Sequence, residues 1–303
     1  MADKVLLVDG DNILVRAVKA VEYGRSNMSA ADGTPTGPLL IFINSLSRYV
    51  REVQPDRLVV CWDHGPCEWR RKLYPEYKAA RPKTGEEYEA LGLRTLSRLQ
   101  AREFLAYAGL HQTDRKGLEA DDLIGAYWRQ HRIADNVMIL SNDKDFMQLL
   151  DFDTRQIRVS SADTPTDVWD YSRVRDHFGC SPRDMPRVMA LMGDASDGVP
   201  GVRGIGPKTA VKLLKEADWE LELIMNPRVR EELSQVRVWL KLVDLRTPPE
   251  GVDTEVRPAP AFRPTMAGDV MYDHLTGFLE QLEMRSILNW VRQGSLWNDF
   301  PTS

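Results

Sequence analysis

Near its start the chain carries a wholly apolar run, Val5-Leu6-Leu7-Val8, cut off by Asp9-Gly10-Asp11-Asn12. A run this short with no polar interruption reads as a strand buried on both faces, leaving a parallel sheet at Asp9. Two further segments have the same form. Residues 57–62 end at Asp63, and residues 136–141 are followed by Asp143-Lys144-Asp145. Between these runs the apolar positions take helical spacing, over 39–50, over 86–108 and over 118–129. The last of these opens Glu119-Ala120-Asp121-Asp122 behind Gly117. Strands alternating with helices predict an α/β fold with a mostly parallel central sheet and flanking helices. Past about residue 170 no strong buried strand is expected. The pattern therefore divides the chain into an α/β core, 1–169, and a helical C-terminal region, 170–303. Pro248, Pro249, Pro258, Pro260 and Pro264 mark an extended connector, and helical spacing returns over 273–291.

The polar residues that end the strands change this picture from architecture to chemistry. Asp9, Asp63 and Asp143 each follow the carboxyl end of a predicted parallel strand, the edge where open α/β sheets bind ligands. Asp145 lies two residues beyond Asp143. Glu119, Asp121 and Asp122 stand at a helix start, where acids suit the dipole. Asp194 and Asp197 sit three apart on a glycine-punctuated turn. Taken singly, each acid could be a turn or cap residue. Nine carboxylates on one rim would repel strongly unless cations neutralised them. Hard oxygen donors without a His or Cys cluster favour Mg²⁺ or Mn²⁺ over zinc, and two such ions can clamp a phosphodiester.

The 303 residues carry a net charge of −5, which speaks against a nucleic-acid partner until its distribution is considered. Between Arg70 and Lys83 six basic residues face one acid, with Tyr74 and Tyr77 interleaved. Lys78 and Arg81, three apart, would share a helix face and could hold a scissile phosphate. Tyr77 or Tyr74 could stack on an unpaired base, or turn to the core. Further on, Gly204-Ile205-Gly206 followed by Pro207-Lys208-Thr209-Ala210 fits a helix-hairpin-helix over about 186–216. Such a hairpin grips a duplex backbone through helix-start N–H groups, with Lys208, Lys212 and Lys215 at helical spacing. Three cysteines without zinc-site spacing suggest reduced thiols. The lack of a signal-like start or a long apolar run points to a cytoplasmic protein without membrane contact.

With these residues in view, the chain resembles the 5′-nuclease family, which includes phage-type flap endonucleases and the nuclease domain of bacterial DNA polymerase I. The likeness is carried in order by LLVDGDN, VVCWD, WRRKLYPEYKAAR, GLEADDLIG, LSNDKDFMQLL and ALMGDASDGVPGVRGIGPKTAVKLL. It implies a helical arch over about 70–108 that threads a 5′ single strand. It also implies a first metal site of Asp9, Asp63, Glu119, Asp121 and Asp122, and a second of Asp143, Asp145, Asp194 and Asp197. DNA contacts are expected from Arg70, Tyr77, Lys78, Arg81, Gly204, Gly206, Lys208 and Thr209, with K⁺ at the hairpin. The implied activity is cleavage near the junction of 5′-flap or forked DNA, with 5′–3′ exonuclease action, in replication and repair. A monomer acting on branched or 5′-ended DNA, or on RNA 5′ ends, fits this picture, and no polymerase domain is expected to follow. Asp11 departs from the small polar residue common in relatives. Two other readings compete. One is a haloacid-dehalogenase-like phosphatase with Asp9 as nucleophile and Asp11 as general acid; the other is a branched-DNA-binding protein without catalysis.

Overall fold

The computed structural model describes residues 2–24, 28–79, 85–160 and 164–297, with backbone alone over 85–91. Six strands form one sheet in the order β3-β2-β1-β4-β5-β6. They are β1 (Asp3–Asp9), β2 (Arg57–Cys61), β3 (Gln112–Thr113), β4 (Asp135–Leu140), β5 (Thr154–Arg158) and β6 (Asp167–Trp169). All pairings are parallel except β5 with β6.

The continuous apolar run of β1 has a direct cause. Leu6 and Val8 face one core, and Val5 and Leu7 face another on the opposite side of the sheet. The first core is covered by α1 (Gly10–Glu22), α2 (Gly37–Val53) and the C-terminal half of a longer helix that follows the short α3 (Glu68–Leu73). That longer helix, α4 (Gly85–Tyr107), inserts Ala101, Phe104 and Leu105. The second core is covered by α5 (Ala120–His131).

A third core belongs to the helical region: α6 (Tyr171–Phe178), α7 (Met185–Met192), α8 (Pro207–Glu216), α9 (Pro227–Glu231) and α10 (Leu233–Val243). The chain then runs without regular structure through the proline-rich connector. It returns to the first core with α11 (Tyr272–Gln281) and α12 (Arg285–Arg292).

The α/β architecture agrees with the expectation, and several elements refine it. Helix α1 follows β1 with no intervening turn. Asp9 serves as its N-cap, accepting from the Asn12 N–H at 3.1 Å. Gly10 is required there because a Cβ would lie 2.8 Å from the Trp62 ring. Strands β3, β5 and β6 escape the hydrophobic pattern. β5 is rich in polar residues, yet Thr154 and Gln156 are fully buried; the Thr154 hydroxyl and the Gln156 amide nitrogen find internal partners, while Gln156 Oε1 has none. The helix-favouring stretch near the C-terminus is two helices, broken at Leu282–Met284.

Candidate active site

In this strand order the chain leaves β1 toward β2 on one side and reaches β4 on the other. The switch point of the sheet therefore lies between β1 and β4. Asp9 stands at one lip of that crevice and Asp143 near the other. Register sets Val8 opposite Leu140, which brings Asp9 beside Ser141. The Ser141 hydroxyl donates to Asp9 Oδ2 at 2.9 Å and accepts the Asp143 N–H at 3.1 Å. One buried serine thus ties the two lips together. A cavity of about 710 Å³ opens here, lined by Asp9, Asp63, Lys78, Glu119, Asp121 and Asp143.

The acids at the start of α5 are already engaged. Glu119 and Asp122 form a reciprocal capping box at the helix N-terminus. Arg70, only 1% exposed, donates to Glu119 Oε2 at 2.8 Å, to Asp121 at 3.2 Å and to Asp122 at 3.0 Å. Its Nε donates to the Leu242 carbonyl at 3.0 Å, and its guanidinium lies over the Trp69 and Tyr77 rings. Asp122 also accepts from the Glu119 N–H and faces the Trp69 indole. Those contacts fall on Oδ2, and Oδ1 lies 3.0 Å from the other Arg70 terminal nitrogen, so Asp122 acts here as a cap and counter-ion, not as the open ligand expected. Burial pushes the Glu119 carboxyl up, but Arg70 and Lys78 outweigh it and hold the group below its ordinary range.

Lys78 occupies the middle of the site. It sits in a left-handed turn (φ 53°) beyond the end of α3, not on a helix. Arg81 lies outside the described residues. The Lys78 N–H donates to the Asp197 carbonyl at 2.9 Å. Its ammonium lies 2.7 Å from Glu119 Oε1 and 3.7 Å from Asp197 Oδ1, and so spans the two acid groups. The expected DNA contacts of Arg70 and Tyr77 are corrected by burial. Tyr77 is 2% exposed, and its single O–H lies between two acceptors, Glu119 Oε2 at 2.9 Å and Asp197 Oδ2 at 3.1 Å. Neither residue offers a face to a base or phosphate.

The acids after β4 have fewer partners. Asp143 caps the following turn by accepting the Asp145 N–H at 2.9 Å. Asp145 is buried, and its Oδ1 has no hydrogen-bond partner. Burial, then Asp143, Asp194 and Asp197, drives its carboxyl well above the usual range. Asp194 accepts from the Ser196 N–H and pairs with Lys144 at 2.9 Å. Burial raises Asp9 to about 8, with Asp63 adding repulsion.

Gly193 and Gly201 close the turn that carries Asp194 and Asp197. A Cβ on Gly201 would lie 2.4 Å from the Gly193 nitrogen, so only glycine permits this approach. Past Gly201 the chain reaches α8, presenting Gly204, Gly206, Lys208 and Thr209 to solvent as a hairpin surface.

Among the described residues no three of these acids already form a coordination cage; Lys78 and Lys144 stand among them instead. The donor set nevertheless suits a hard divalent cation. It is all oxygen, Asp145 Oδ1 is a buried carboxylate oxygen to which the chain offers no donor, and burial together with Asp63 makes the charged form of Asp9 costly without a nearby cation.

Residues missed in the sequence include Ser141, Gln148 and Gln156. Gln148 donates to the Asp145 and Val243 carbonyls, and Gln156 to the Ser141 and Asp143 carbonyls. Gln148 was signalled as a lone amide inside the apolar run from Phe146 to Leu150, whereas Gln156 stands among polar residues and carried no such signal. Arg16, Lys19 and Arg94 also line the cavity.

Residues 4–179 match the family model described as the 5′-3′ exonuclease N-terminal resolvase-like domain. Residues 180–249 match the 5′-3′ exonuclease C-terminal SAM fold. The chain belongs to the 5′–3′ exonuclease family. It is 32% identical to a 5′-3′ exonuclease of Bacillus subtilis over 80% of each chain, and 30% identical to one of Aquifex aeolicus over 94% of each. DNA polymerase I of Caldicellulosiruptor bescii is 31% identical across 74% of this chain, which spans 25% of that larger protein.

The fold is that of a bacteriophage T5 flap endonuclease solved with DNA and metal ions (TM-score 0.66, 20% identity, 92% of this chain and 99% of that one). The catalytic core of Rad2 in complex with DNA substrate also shares it (TM-score 0.59, 16% identity, 95% and 92%). The exonuclease family consists of nuclease hydrolases, which displaces the phosphatase reading. Geometry agrees with this, because Asp11 turns to Arg94 and Arg98 and is not free to act as a general acid.

Proposed function

We propose that this exonuclease-family protein is a divalent-metal-dependent 5′ nuclease that cleaves phosphodiesters at the junction of 5′-flap or forked DNA and also trims 5′ ends, serving replication and repair. The observation that supports this best is the placement of Lys78. One residue spans the α5 acids and the Asp197 turn, and the turn's own chain continues directly into the hairpin.

Asp9, Asp63, Glu119 and Asp121 would hold one Mg²⁺ or Mn²⁺, and Asp143, Asp145, Asp194 and Asp197 a second. Bound there, the ions supply an acidified water and neutralise charge on the phosphodiester. The chain's own contribution is positioning. Lys78 would exchange a carboxylate partner for a phosphate oxygen and stabilise its developing charge. Arg81 is proposed to assist it. The α8 N-terminus, with Gly204, Gly206, Lys208 and Thr209, grips the duplex backbone without reading sequence, and K⁺ at the same hairpin belongs to this proposal. The turn from Gly193 to Gly201 joins grip to site at a constant separation, which sets where the cut falls.

The test is a duplex bearing a 5′ flap labelled at its 5′ end, incubated with and without Mg²⁺. Release of a short flap fragment only with Mg²⁺ is expected. Intact DNA despite tight binding would instead support a branched-DNA-binding protein without catalysis.

A further inference from the structure

Asp11 is, with Asp122, an acid of the rim that the proposed metal sites do not use, and it is 6% exposed and engaged through both oxygens. Its Oδ2 accepts the Asp63 N–H at 2.9 Å. Its Oδ1 lies 3.3 Å from Arg98 Nε and 3.7 Å from an Arg94 terminal nitrogen. The Arg98 contact is an ion pair without hydrogen-bond alignment, since Nε has no hydrogen-bond partner. A terminal nitrogen of Arg98 donates to the Asp63 carbonyl, and its guanidinium lies 5.4 Å from the Trp62 ring centre.

One turn further along α4, Arg102 lies over the same ring and donates to Asp114. Arg94, Arg98 and Arg102 recur every four residues and therefore form one stripe on α4 facing the rim. The backbone of Asp63 is gripped at both ends by this arrangement, N–H by Asp11 and carbonyl by Arg98. Its carboxylate is oriented separately by the Ala120 N–H at 2.9 Å.

We propose that Asp11 and Arg98 are positioning residues that clasp α4 to the rim and thereby fix Asp63 in its ligand orientation. This rests on the reading of Asp63 as a metal-holding residue. The helix is roughly 35 Å long at 1.5 Å per residue, and the clasp grips it near its middle. Displacement of its N-terminal half is thus transmitted to one ligand of the metal site.

The proposal makes a prediction that plain electrostatics reverses. Removing a cation near a metal site should tighten metal binding. If Arg98 acts by position, Arg98→Gln weakens it. The measurement is Mn²⁺ binding to the full chain by electron paramagnetic resonance, without DNA. Arg98→Gln and Asp11→Asn are each expected to weaken Mn²⁺ about tenfold, as loss of an outer-shell partner does. The double variant should be no weaker than the weaker single one, because both break the same clasp. Unchanged or tighter binding in Arg98→Gln, or losses that multiply to about 100-fold in the double variant, overturns the proposal. Should Arg98→Gln fail to fold, Arg98→Lys keeps the charge but loses the two-ended grip. It should weaken Mn²⁺ about threefold, and wild-type affinity in that variant overturns the clasp. A wild-type protein that binds no Mn²⁺ overturns the functional reading together with this one, whereas normal wild-type binding with unperturbed variants overturns this one alone.

Discussion

The acids that begin α5 and the acids that follow β4 stand on the same rim and differ in who neutralises them. Glu119 and Asp122 are buried against Arg70, which the chain supplies permanently and encloses in aromatic rings. Asp145 is equally buried but keeps an oxygen without a partner, and the nearby Lys144 pairs with Asp194 from a half-exposed position. Burying charge is costly unless it is paired, so the first group is settled within the fold, whereas the second keeps a buried carboxylate oxygen to which the chain supplies no partner. A site of this kind combines a rigid wall with a reactive one. Lys78 spans from Glu119 of the first to the Asp197 turn that borders the second.

The largest effect should come from the reactive wall. Asp143→Asn is expected to lower cleavage by about 10³-fold. Binding of a 5′-flapped duplex in a mobility-shift assay should stay near wild type; a parallel loss of binding would contradict the proposed metal role. On the rigid wall, Arg70→Met strips the buried counter-ion from Glu119 and Asp122. It should cost about 3–5 kcal/mol of folding stability in urea denaturation. Stability unchanged by that substitution would erase the contrast between the walls.

Asp9, the rim acid at the end of β1, should make stability depend on pH. Asp9 titrates near 8 in the folded protein and near 3.8 unfolded, so between these values the unfolded chain binds fewer protons. Metal-free stability therefore falls as pH rises from about 4 to about 8. Melting temperature in the presence of a chelator should drop across that window. Asp9→Asn should flatten the slope, and an equal slope in that variant would assign it elsewhere. The smallest effect is expected away from both walls. Lys208→Ala should weaken duplex binding modestly and reduce its salt slope by about one unit, as loss of one phosphate contact does. An unaltered slope would remove Lys208 from the duplex grip.

Much of the site was legible because its residues interrupt apolar runs. Asp9, Asp63 and Asp143 follow strands whose burial on both faces is written in the sequence, and parallel pairing then leads them to one edge. Arg70 and Tyr77 were misplaced for a related reason. A basic, aromatic stretch looks like a surface, and only the acids of α5, some fifty residues away, pull Arg70 inside. Strand β5 was hidden because its buried positions, Thr154 and Gln156, are polar and find partners inside the fold for the Thr154 hydroxyl and the Gln156 amide nitrogen. Helix α1 was obscured by the strand it follows without a turn.

The sequence by itself determined the alternation of strands and helices, the acids at the strand ends and the glycines of the hairpin, because each depends on local pattern or on backbone freedom. The division of the nine acids into compensated and uncompensated groups was decided by tertiary structure alone. So was the use of Asp11 as a clasp instead of a ligand. Compensation depends on which cation is brought within about 3 Å and how much water is removed around it. Those distances arise only when α3, α4 and the Gly193–Gly201 turn close over the sheet.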